Sequence, residues 1–151
     1  MEKFHVLKQT TVINKPINEV FDFFCKAENL NKISPPDLHF TIVTPLPIEM
    51  KVGRLIDYKI KLGIIPLKWQ TEITEWNPPN SFADMQIKGP YKLWLHTHSF
   101  VAKENATEMT DVVKYLSRGW FLEPLIDKLY VRKKVEEIFA YRNKQIEILF
   151  A

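Results

Sequence analysis

The longest regular pattern in this sequence runs from residue 38 to residue 116, where apolar and polar residues alternate almost one for one. Successive side chains of a β-strand point to opposite faces, so a period of two residues predicts strands with one buried face. Turns rich in Gly, Pro and Asn divide the region into successive strands, as in an antiparallel sheet. The predicted strands are 38–43, 56–62, 67–76, 82–88, 93–103 and 107–117.

Helical patterns flank this region. Residues 4–14 have the β-favouring composition of a first strand, and Pro16 then opens a short amphipathic helix to about Ala27, with another turn or two over 28–33. The block 121–150 lacks Gly and predicts the longest helix. Its apolar stripe consists of Val131, Val135, Ile138, Phe139, Ile146 and Leu149, widened at the start by Leu122, Leu125, Ile126 and Leu129. This order predicts one α+β domain over residues 1–151.

Composition excludes several classes of protein. The net charge is +3, and the sequence lacks the clustered basic residues that form the surface of a nucleic-acid binder. We therefore expect no nucleic acid as a partner. Cys25 is the only cysteine, which excludes an intrachain disulfide and fits a reducing cytoplasm; we expect it to be an inert buried thiol. No segment approaches the roughly 20 apolar residues that span a bilayer, so we expect a cytoplasmic protein without stable membrane insertion.

Polar residues with chemical potential lie on the predicted strands. Alternation places His96 and His98 on one face of their strand, together with Trp94 and Phe100. The same rule groups Asp111 with Met109, Val113 and Tyr115 on the next strand, and Gln86 with Asp84 on the preceding one. If these faces point inward, Asp111 can meet a histidine.

Three interpretations of this polar set remain open. The histidines are structural and satisfied by Asp111, Gln86 or Tyr115, because buried polar groups require partners. Alternatively, they form the polar end of an apolar pocket and orient a ligand carboxylate, carbonyl or hydroxyl. In the third interpretation His96 and His98 bind zinc or iron with Asp111, or act in acid–base chemistry.

The final helix carries one polar interruption. Arg142 breaks the apolar stripe, so it either pairs with Glu28 or another acidic residue or extends outward to solvent. The run 132–134 of Arg and Lys is expected on the solvated face.

Several short motifs, taken in order, carry a family resemblance over nearly the whole chain. They are Pro16 with 20–24, Asn29-Leu30, 34–36, 44–47, Gly53, 56–58, 89–91, then Trp94, His96, His98, Phe100, Thr107, Met109, Asp111, Phe139, Tyr141 and Arg142. The sequence resembles the START-like, helix-grip (SRPBCC) superfamily, in its bacterial ligand-binding branch that is often labelled polyketide cyclase/dehydrase-like. The resemblance implies a curved antiparallel seven-stranded sheet around a long C-terminal helix, as in birch-pollen-allergen-like proteins, with two short helices after strand one. Neither a two-cysteine cluster motif nor an iron triad at the oxygenase spacing is present.

The expected function is reversible binding of a hydrophobic or amphipathic small molecule, such as a lipid, a polyketide-like compound or an aromatic compound, in a cavity between sheet and helix. The alternative is a cyclase/aromatase-like enzyme with His96, His98 and Asp111 in acid–base roles. No cofactor and no metal are expected, and the chain is expected to be a monomer or homodimer. The candidate contact residues are Ile56, Tyr58, Ile60, Trp69, Thr71, Gln86, Trp94, His96, His98, Asp111, Val113, Tyr115, Leu125 and Leu129.

Overall fold

A computed structural model describes residues 3–117 and 131–151. The predicted helical residues 121–130, which include Leu125 and Leu129, therefore lie outside the described residues. Among the helices of the described ranges, none combines the length and apolar character needed to cross a bilayer.

The described residues form a seven-stranded antiparallel sheet in the order β1-β7-β6-β5-β4-β3-β2. Its strands are β1 (His5–Ile13), β2 (Thr41–Ile42), β3 (Leu55–Leu62), β4 (Ile65–Asn77), β5 (Ser81–Lys88), β6 (Tyr91–Lys103) and β7 (Ala106–Ser117). The helices are α1 (Ile17–Phe24), α2 (Leu30–Ile33) and α3 (Arg132–Leu149), with 3-10 turns at Ala27–Asn29 and Pro36–Leu38. This arrangement confirms the predicted α+β class, the seven strands, the short helices and the long C-terminal helix.

The strand predicted over 38–43 is mostly wrong. Only Thr41–Ile42 pairs with β3, because Pro35 and Pro36 start a 3-10 turn instead. His39 ends that turn in a left-handed conformation, with φ of 46°. Leu38 is nevertheless buried, so the apolar residue that suggested a strand face contributes to the core from a turn.

Strand register determines which side chains meet near the middle of the sheet. His98 pairs with Asp111 across β6 and β7, and Asp84 pairs with His96 across β5 and β6. Opposed residues on neighbouring strands project to the same face, so these four side chains come together on one side of the sheet. On β4, irregular pairing between Ile73 and Glu75 marks a bulge, a feature that bends a strand.

Helix α3 covers this side of the sheet at β6 and β7. Phe139 packs with Tyr91, Val113 and Tyr115, and one helical turn later Arg142 is also buried. Ile146 packs against Phe100 and Met109 in a second cluster. The predicted stripe is wrong at its end, because Leu149 is 44% exposed.

Candidate functional site

A cavity of about 190 Å³ lies between β3–β6, the α1–α2 segment and α3. Apolar and aromatic side chains form most of its wall, and polar side chains from β4, β5, β6 and α3 meet at one end. Eight of the residues predicted from sequence line it: Ile56, Tyr58, Ile60, Trp69, Thr71, Trp94, His96 and His98.

Three other predicted residues lie on β7, one strand away from the cavity wall. Val113 is fully buried against Val135 and Phe139 of α3, and Tyr115 belongs to the same cluster. Asp111 is 3% exposed and lies behind the histidines. Alternation placed these side chains on the correct face, but α3 covers that part of the face.

Gln86 is used by a turn. Its side-chain amide Nε2 donates to the carbonyl oxygen of Tyr91 at 2.7 Å, and the Tyr91 N–H donates to Gln86 Oε1 at 3.1 Å. A Cβ at Gly89 would lie 2.5 Å from that same Oε1, so any other residue at this position would displace the Gln86 amide from these two bonds. Gln86 therefore shares the face of Asp84, but its side-chain amide is hydrogen-bonded to the backbone of Tyr91.

Sequence reasoning did not assign several wall residues. Phe24, Ala27, Leu30 and Met50 come from helices and loops. The apolar pattern predicts the short helices, but it does not indicate which part of the sheet they cover. Asp84, Phe82 and Arg142 also line the cavity. Their signals were present, since Phe82 and Asp84 alternate on β5 and Arg142 follows Val135 and Phe139 at helical spacing.

Four residues at the polar end of the cavity, together with Asp111 behind them, form a cluster called the polar cluster below: Asp84, His96, His98, Arg142 and Asp111. His96 Nε2 lies 2.8 Å from Asp111 Oδ1, and His98 Nε2 lies 3.2 Å from Asp84 Oδ2. His98 Nδ1 is 3.0 Å from Asp111 Oδ1, as an ionic contact without hydrogen-bond alignment. Arg142 Nη2 donates to the same oxygen at 3.3 Å.

Arg142 therefore pairs with Asp111, not with Glu28, and it does not extend to solvent. Its side chain is 8% exposed, against 3% for Asp111, so the ion pair is buried. The guanidinium also lies 5.5 Å from the ring of Phe24 and 5.6 Å from that of Phe139, within the range of cation–π attraction.

Ring stacking fixes the two histidines. The centroids of His96 and His98 are 3.7 Å apart, and His98 stacks on Phe82 at 4.1 Å with an interplanar angle of 13°. Packed rings have few alternative rotamers, so their nitrogens are held toward the neighbouring carboxylates.

Burial and charge act in opposite directions on the acids of the cluster. Burial raises the pKa of Asp111, but Arg142, His96 and His98 outweigh it and hold the pKa well below its ordinary value. Burial likewise raises the pKa of Asp84, and the bond from His98 with nearby positive charge brings the net pKa below its ordinary value. Both acids are therefore carboxylates at neutral pH.

The two histidines differ in protonation. Burial, helped by the neighbouring His98, lowers the pKa of His96 to about 4, so His96 is neutral. Burial also lowers the pKa of His98, but the carboxylates of Asp111 and Asp84 outweigh it and raise the pKa above its ordinary value. Of the two rings, His98 is therefore the one that more readily takes up a second proton.

Cys25 lines the cavity and is only partly buried, which corrects the expectation of a buried thiol. Burial, and then the nearby charge of Asp22, raise the pKa of its thiol to about 11.

Because the thiolate is the nucleophile, we expect slow alkylation of Cys25 by iodoacetamide at neutral pH, with a rate that rises about tenfold per pH unit toward pH 11. Mass spectrometry of quenched samples measures the rate. A plateau near pH 8.5, the ordinary cysteine value, would contradict the expectation.

No protein-family model matches the chain, and no curated protein matches it. Solved structures do. Protein Ms6760 from Mycobacterium smegmatis is 19% identical, with 95% of this chain and 89% of that chain covered and a TM-score of 0.70. The ginseng major latex-like protein 151 from Panax ginseng is 13% identical, with 97% of each chain covered and a TM-score of 0.68.

A third match is the Zhui aromatase/cyclase from Streptomyces sp. R1128, which is 12% identical. The match covers 95% of this chain and 94% of that chain, with a TM-score of 0.67. Identities this low establish a shared fold and leave function open. With the sheet order and the C-terminal helix described above, the matches show that this chain has the helix-grip fold of the START-like (SRPBCC) proteins.

Proposed function

We propose that this chain reversibly binds a hydrophobic small molecule with one polar group in the cavity between the sheet and α3. The observation that carries the proposal is the distribution of polar groups in the cavity: the wall is apolar, and a few polar side chains converge at one end. Apolar pockets with few, well-placed polar groups are typical of small-molecule sites.

The apolar body of the ligand would pack against Ile56, Ile60 and Tyr58 on β3 and Trp69 on β4. Trp69 also packs edge to face with Trp94, with ring centroids 5.4 Å apart, so this part of the wall is aromatic and rigid. Apolar surface removed from water contributes roughly 25 cal/mol per Å², which would supply most of the affinity.

The volume supports a small ligand. An engineered apolar cavity of about 150 Å³ accommodates benzene, so about 190 Å³ suits one substituted aromatic ring or an aliphatic body of similar size. A longer lipid or a polyketide-like chain would need the cavity to widen.

The polar end favours a hydrogen-bond donor on the ligand. Asp84 lines the cavity as a carboxylate, and Thr71 Oγ1 donates to its Oδ1 at 3.4 Å. A ligand hydroxyl can donate to the same carboxylate. A ligand carboxylate would meet the like charge of Asp84, while the neighbouring Arg142 already pairs with Asp111 and His98 Nε2 already faces Asp84. A phenol or alcohol is therefore the preferred class.

Binding is tested with three probes that share a methyl-substituted benzene ring and differ in the para substituent: p-cresol, toluene and p-toluate. We expect p-cresol to raise the Tm most and to change the fluorescence of Trp69 and Trp94, because only p-cresol has both an apolar ring and a hydroxyl donor. At 100 times its Kd, a ligand adds about 2.7 kcal/mol of stability. Ala27→Leu fills the cavity and should abolish the shift, whereas Val12→Leu, at a site 61% exposed, should keep it. Equal responses in both variants, or none in the native chain, would refute the proposal.

A proton-transfer enzyme is the second candidate, favoured by two histidines that each contact a carboxylate at the end of the cavity. The aromatase/cyclase among the structural matches is consistent with it. His98→Ala separates the two. The native chain would have to turn over a polyketide-like substrate, and the variant would have to bind it equally but lose turnover. That result would favour the enzyme over the proposal of reversible binding alone.

A further inference from the structure

The polar cluster contains a donor set of a second kind. We propose that Asp84, His96 and His98 bind a divalent first-row transition metal ion, with Zn²⁺ as the reference ion, at the polar end of the cavity. The proposal goes beyond binding of an organic ligand and is testable without one.

Strand geometry brings the three donors together. His96 and His98 are two residues apart on β6 and share a face, and Asp84 pairs with His96 from β5. One donor atom from each residue lies within 4.8 Å of the other two. Two imidazoles and a carboxylate suit zinc and its first-row neighbours better than calcium or magnesium, which prefer oxygen ligands.

Asp111 serves as the outer-shell partner of both rings. Its Oδ1 lies 2.8 Å from His96 Nε2 and 3.0 Å from His98 Nδ1. These contacts leave His96 Nδ1 and His98 Nε2 for a metal, and His98 Nε2 already lies 3.2 Å from Asp84 Oδ2. Metal-binding histidines characteristically hydrogen-bond a carboxylate through their second nitrogen, as His96 does, whereas His98 Nδ1 makes only an ionic contact with Asp111.

Charge favours a cation at this position. Arg142 bonds to Asp111 and partly neutralises it, whereas the contact of Asp84 within the cluster is with His98. A metal ion would displace any proton from the ligating nitrogens, and the two carboxylates of Asp84 and Asp111 would then face one guanidinium and the metal charge. Three protein ligands leave a coordination position open toward the cavity, as in zinc sites that bind a water or a substrate.

The test uses Zn²⁺ alone. The full chain is stripped with chelator, and Zn²⁺ affinity is measured by calorimetry at neutral pH for the native chain, Asp84→Asn and His39→Asn. His39 is exposed and outside the cluster, and Asn tolerates its left-handed backbone. Co²⁺ absorption provides a second readout, because d–d bands report ligand geometry.

We expect the native chain and His39→Asn to bind one Zn²⁺ per chain with equal affinity. Asp84→Asn should lose more than the roughly 100-fold that removal of an outer-shell partner can cost, and Asp111→Asn should lose about 10–100-fold and alter the Co²⁺ spectrum. Urea unfolding of each variant confirms that it is folded. Native affinity in Asp84→Asn, loss of binding in His39→Asn, or no stoichiometric binding by the native chain would each overturn the proposal.

Discussion

We expect Arg142→Met to lower the free energy of unfolding by about 3–5 kcal/mol, because it removes one partner of a buried ion pair. Arg142 and Asp111 are 8% and 3% exposed, so water cannot solvate the Asp111 carboxylate that is left without its partner. Methionine keeps an unbranched apolar stem of similar length, and the substitution therefore tests the charge more than the packing. Cation–π contacts with Phe24 and Phe139 are also lost.

Urea unfolding measures the effect, with Lys133→Met as the matched control. Lys133 is exposed on the same helix, and its loss should change stability by no more than about 0.5 kcal/mol. Adding Asp111→Asn to Arg142→Met removes the stranded charge, so the double variant should be less destabilised than the sum of the two singles. A loss below about 1 kcal/mol in Arg142→Met would mean that Asp111 does not depend on this guanidinium.

The sequence predicted most of the sheet because a half-buried strand imposes a period of two on its residues. On β6 this rule placed His96 and His98 on one face, and on β7 it placed Asp111 and Val113 together, as the structure has them. The final helix was predictable for the same reason at a period of 3.6. Alternation predicts the face of the sheet on which a side chain lies, but not what packs against it. It therefore cannot distinguish Val113, which lies under α3, from His96, which borders the cavity.

The sequence pattern could not predict side-chain contacts that depend on long-range packing. The helical spacing of Arg142 indicates the buried side of α3, but only the docking of that helix on β7 selects Asp111 over Glu28. The fate of Gln86 depended on a local turn, because its amide bonds to the Tyr91 backbone across Gly89. The predicted strand at 38–43 failed where two prolines made a turn more favourable than a sheet edge.

We expect Phe21→Ala to cost about 3–5 kcal/mol, since it empties the centre of the aromatic core next to the cavity. Phe21 is 5% exposed, and its ring centroid lies 5.4 Å from Trp76, 5.7 Å from Phe82 and 5.4 Å from Phe100. It joins α1 to β4, β5 and β6 through these contacts. The aromatic rings around it are too large to collapse into the space that it leaves.

Phe4→Ala is the matched control, because Phe4 is 52% exposed and its loss should change stability by no more than about 0.5 kcal/mol. Benzene supplies a second readout. Phe82 borders both Phe21 and the natural cavity, so the new void adjoins a space that already suits one aromatic ring. Benzene should therefore raise the Tm of Phe21→Ala more than that of the native chain or of Phe4→Ala. A small loss of stability together with equal benzene shifts in all three chains would mean that α1 closes the gap, and that this wall of the cavity is softer than its close ring packing indicates.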